Sequence, residues 1–112
     1  MKRKSEINIT VSLDENNVPE KIHWNASDTE EKPSSAKSLL LSFWDEKEQN
    51  TMRIDLWTKE MYVEEMKQFF HQNLVTMADT FERATGEAKV ANAMRDFADF
   101  FAEELKIDQP EV

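Results

Sequence analysis

Residues 39–57, LLLSFWDEKEQNTMRIDLW, decide the fold. Two seven-residue stretches of alternating hydropathy, 38–44 and 51–57, flank DEKEQN, a turn composition. Setting Trp44 against Thr51 brings Phe43 beside Met52, Leu41 beside Ile54 and Leu39 beside Leu56. One face of this hairpin is then wholly apolar. The other carries Leu40, Ser42 and Trp44 beside Asp55, Arg53 and Thr51, with Trp57 next to Ser38. Two tryptophans on a face that should be wet call for an explanation.

An earlier stretch shows the same period. Ile7, Ile9, Val11 and Leu13 alternate with Glu6, Asn8, Thr10 and Ser12, the pattern of a half-buried strand. DENN turns the chain, and Val18, Ile22 and Trp24 share parity in a second strand with Pro19 near its start. Pairing Leu13 with Val18 sets Val11 against Glu20, Ile9 against Ile22 and Ile7 against Trp24. Residues 25–37 are polar, with Pro33 and serines, and read as a mobile loop.

After Trp57 the period lengthens. Thr58 or a neighbour can cap a helix, with Glu60 in its first turn. Met61 or Tyr62, Met66, Phe69, Phe70, Leu74, Met77, Ala78, Phe81 and Ala84 recur at three- and four-residue steps, as on an amphipathic helix. Gly86, the sole glycine, sits where a left-handed C-cap is expected. A second helix runs to about Leu105, with Val90, Ala91, Met94, Phe97, Ala98, Phe101 and Leu105 on its stripe. Residues 108–112 read as a short disordered tail.

Strands followed by helices mean α+β. The expectation is one β-β-β-β-α-α domain over residues 1–112, a four-stranded antiparallel sheet of two hairpins with one face covered by the C-terminal helical hairpin. Core packing accounts for the methionine and phenylalanine stripes. Leu40, Trp44 and Trp57 are the apolar residues this core leaves unused.

The charge is −9, from 23 acidic and 14 basic residues. Phosphate contacts need clustered Lys and Arg, so nucleic acid and anionic membrane surfaces are disfavoured. No stretch approaches the ~18 apolar residues of a membrane-spanning helix, and the basic, alternating N-terminus lacks a signal-peptide apolar run. Cysteine is absent, which excludes disulfides and thiolate chemistry. Together these point to a cytoplasmic protein.

Catalytic motifs are missing. One glycine cannot build a phosphate loop, His23 and His71 stand on different elements, and no serine elbow occurs. Asp96, Asp99 and Glu103, with Asn92, line one side of the second helix and read as its solvated face. No enzyme activity and no cofactor or metal is expected.

The strings VSLDENNVPEKIHWNASD, MRIDLWTKEM, MKQFFHQNLVTMADTFERATG and MRDFADFFAEEL resemble the gliding motility protein GldC family over nearly the whole chain. The resemblance implies a cytoplasmic accessory component of gliding motility in Bacteroidetes, linked to a machinery that also involves protein secretion. It supplies no catalytic residues.

The reading is therefore a non-enzymatic interaction or assembly factor. Its partner-binding residues would be Leu40, Trp44, Arg53, Asp55 and Trp57, and its partner a protein of the gliding machinery or a second copy of the chain. The alternative is a carrier of an apolar ligand or peptide held between sheet and helices.

Overall fold

A computed structural model describes residues 3–27 and 33–107. In chain order it has β1 (Ile7–Leu13), β2 (Pro19–Ala26), β3 (Ser34–Ala36), β4 (Ser38–Asp45), β5 (Asn50–Trp57), α1 (Val63–Thr85) and α2 (Ala88–Leu105). The class is α+β, as expected. The chain divides into two units, Met1–Met61 and Tyr62–Val112.

In the first unit the expected single four-stranded sheet does not form. There is a three-stranded antiparallel sheet, β1-β2-β3, and a two-stranded one, β4-β5. The cause lies in residues assigned to the 25–37 loop. Asn25 and Ala26 complete β2, and Ser34–Ala36 pair with it through Ile22–Ala36, His23–Ser35 and Trp24–Ser34. Backbone pairing needs no apolar side chain, so a serine-rich segment hides a strand from hydropathy. The chain bends at Lys37 and begins the second ladder. Residues 28–32 of that loop, and the tail 108–112, lie outside the described residues.

The first hairpin keeps its expected face but not its register. Ile7 pairs with Ala26, Ile9 with Trp24 and Val11 with Ile22, two residues along from the expected pairing. Asp14 and Val18 close a loop of Glu15, Asn16 and Asn17, with Asn17 left-handed at φ 62°. A bulge between Ser12 and Leu13 then sets Leu13 against Pro19. The shift frees Val11 from Glu20 and makes the apolar rows match. Ile22, the large residue fully buried here, sits where the three strands meet on that face.

The second hairpin has the expected register throughout, from Ser38–Trp57 to Asp45–Asn50. Its turn repeats the chemistry of the first: Asp45 Oδ1 accepts the Lys47 and Glu48 N–H groups at 3.0 and 2.8 Å, and Gln49 is left-handed at φ 54°.

Thr58 does not cap the helix. It is buried, its N–H donates to the Lys37 carbonyl at 2.8 Å, and its Oγ1 has no partner among the described residues. Beside it, Lys59 Nζ meets Asp14 Oδ2 at 2.8 Å, tying the end of β5 to the first turn.

In the second unit α1 starts at Val63, with the Tyr62 N–H donating to Glu65 Oε1 at 3.0 Å. It ends, as expected, at Gly86 in the left-handed region. The two helices form a hairpin whose buried residues are Ala78, Ala91, Ala98 and Ala102. This corrects the expected core in part. Ala78, Ala91 and Ala98 of the expected stripes are buried, whereas Met77, Phe70 and Phe97 of the same stripes are exposed, and Ala102, which the stripe did not include, is buried. Alanine methyls let two helices approach closely, and larger side chains flank the seam. Arg95 spans the pair, reaching Asp79 Oδ1 and Glu82 Oε1, each at 2.8 Å. His71 stacks with Phe101 at 6.5 Å between ring centroids, its buried Nε2 without a hydrogen-bond partner among the described residues.

Candidate protein-interaction surface

Antiparallel pairing fixes which residues share a face. In β4–β5 the successive rows are Trp44–Thr51, Ser42–Arg53, Leu40–Asp55 and Ser38–Trp57. Leu40, Trp44, Arg53, Asp55 and Trp57 are therefore brought together on one face, as expected. The rows span about 20 Å from the turn to the base of the hairpin. Trp44 is 68% exposed and Trp57 58%. Between them Arg53 Nη2 meets Asp55 Oδ1 at 3.2 Å, both side chains being solvated. Leu40 is half-buried.

The opposite face was expected to be core. It is not closed off: Phe43 and Met52 are each 54% exposed and Ile54 50%, while Leu39, Leu41 and Leu56 are half-buried. A two-stranded ribbon with apolar side chains on both faces is marginal in water by itself. Period two alone cannot tell which face is covered.

Elsewhere in this unit Ile9, Ile22, Trp24, Ala36, Ser38 and Leu39 line an apolar hollow of about 270 Å³. That is below the ~300–1,000 Å³ of ordinary ligand sites, and it lies open. The strongest electrostatic effect in the unit is at Asp14. The Lys59 ammonium, followed by the Val18 and Asn16 N–H groups, lowers its carboxyl to about 2.

Among the described residues no group of three or more His, Asp or Glu is placed to hold a metal ion. Asp96, Asp99 and Glu103 lie exposed on α2, and Asn92 Oδ1 accepts Arg95 Nη1 at 2.8 Å. No described helix is long and apolar enough to cross a membrane.

Residues 19–107 match the family model of the gliding motility-associated protein GldC-like family. The chain belongs to that family. The match runs from the first residue of β2 past the end of α2, so both candidate tryptophans and both helices lie inside it. No curated protein and no solved structure matches the chain. Membership of the GldC-like family ties the chain to gliding motility and leaves its molecular action to be argued from the surface.

Proposed function

We propose that this GldC-like chain is a non-enzymatic, cytoplasmic accessory protein of gliding motility. It acts as a protein-interaction or assembly factor through the face bearing Leu40, Trp44, Arg53, Asp55 and Trp57. The carrying observation is the pair of exposed tryptophans on one face of a two-stranded ribbon, with an arginine–aspartate pair between them. Tryptophan and arginine are the side chains that most often anchor protein interfaces. An apolar patch with a polar rim is the surface such anchors make. The partners are components of the gliding machinery.

The test compares wild type with a Leu40→Asp/Trp57→Asp double variant as bait in cells that glide. Circular dichroism first establishes that the variant folds. Wild type is expected to retain components of the gliding machinery that the variant loses, and the variant is expected not to restore gliding to cells lacking the protein. Equal recovery and equal gliding would remove this face from the function.

A further inference from the structure

The β5 stretch Thr51–Trp57 reads Thr-Met-Arg-Ile-Asp-Leu-Trp. Its chemistry is nearly symmetric about Ile54. Reversed and laid beside itself, it sets Arg53 opposite Asp55, Met52 opposite Leu56 and Ile54 opposite Ile54.

The edge on which this could happen is open. Among the described residues β5 pairs with β4 alone. The Thr58 N–H bonds to the Lys37 carbonyl, and the ladder beyond it runs without a bulge. Alternation then turns the backbone groups of Met52, Ile54 and Leu56 toward β4, and those of Thr51, Arg53, Asp55 and Trp57 toward the free edge.

We propose that two copies of this chain join along that edge, β5 antiparallel to β5 about a two-fold axis at Ile54. The order becomes β4-β5-β5-β4. This rests on the reading of β4–β5 as an interaction element and names one occupant for it. In the joined sheet Arg53 of each copy exchanges backbone hydrogen bonds with Asp55 of the other. Their side chains form a four-membered cluster of alternating sign. On the opposite face, Met52, Ile54 and Leu56 meet their counterparts in one continuous apolar row. Four strands also relieve the weakness of a two-stranded ribbon.

Charge selects the register. A slip of two residues one way sets Arg53 against Arg53, and the other way sets Asp55 against Asp55. A slip of one residue puts the charged row of one copy on the apolar face of the other. The seam is locally neutral, although each chain carries a net charge of −9. The free edge of β4, in SLLLSFWD, offers no such opposed charges to fix a pairing.

Sedimentation of the full chain over a concentration series tests this. Wild type is expected to reach twice 13.2 kDa. Arg53→Asp alone and Asp55→Arg alone are each expected to stay monomeric, since each faces like charge in its own pair. An equimolar mixture of the two is expected to recover the dimer mass, because every crossed pair is again opposite in sign. Two misfolded chains would not rescue each other. A monomeric wild type overturns the proposal, as does a dimer that persists in both single variants or a mixture that stays monomeric. If pairing fails while Leu40→Asp/Trp57→Asp still loses the motility partner, the functional face stands without the dimer. If pairing holds and that double variant still captures the partner, the face falls and the dimer stands.

Discussion

Asp14 holds two structures together. Its Oδ1 accepts the Asn16 and Val18 N–H groups at 2.8 and 3.0 Å, shaping the first turn, and its Oδ2 receives Lys59 from the end of β5. The turn role was legible in the sequence, since aspartate leading an Asn-rich turn is a local signal. The ion pair was not, because its partners are 45 residues apart. The sign of the pH effect follows from the lowered carboxyl. The charged form is favoured in the folded chain, so its contribution is full above the ordinary 3.8 and is lost as pH falls through about 2. Asp14→Asn keeps an acceptor for the turn and removes the charge. Wild type is expected to lose more stability than Asp14→Asn between pH 5 and pH 2, measured by urea unfolding at each pH. Parallel losses would mean that Lys59 does not favour the ionised carboxylate. Gly86 is a different case. None of the described residues lies within 4 Å of where its Cβ would stand, so its φ of 76° accounts for glycine there.

At the scale of elements, the second hairpin was readable pair for pair, because turn and hydropathy specify the same register. The first was readable only in its face, since a bulge is set by turn geometry and leaves the alternation unchanged. Strand β3 was hidden, having no apolar period. Both helices were legible in length and largely in the side they bury, but not in which residues of that side pack tightest. The bulkiest residues on the α2 stripe are Phe97 and Phe101, yet the residues packed tightest are Ala91, Ala98 and Ala102. A close helix pair has no room for more than a methyl at the seam. Ala98→Leu is accordingly expected to destabilise the chain by about 1–3 kcal/mol through overpacking. Urea unfolding at neutral pH measures this. An unchanged midpoint would show that the helices are not in close contact at Ala98.

At the scale of the molecule, all three tryptophans, Trp24, Trp44 and Trp57, lie in the first unit, and both helices lie in the second. This separation makes cooperativity measurable. We take the chain to fold as a single domain, as its length suggests. Tryptophan fluorescence and far-ultraviolet circular dichroism are then expected to report one coincident urea transition. Two separated midpoints would mean that the units fold independently. Local rules account for the α+β class, six of the seven elements, the Asp-led turns, the Gly86 cap, and the common face of Leu40, Trp44, Arg53, Asp55 and Trp57. These depend on backbone period and on residues a few positions apart. Tertiary structure alone decided the division into two sheets, the register of the first hairpin, the burial of Thr58, the alanine seam and the open edge of β5. Each of those depends on which distant segments compete for one backbone or one surface, and no local window contains that competition.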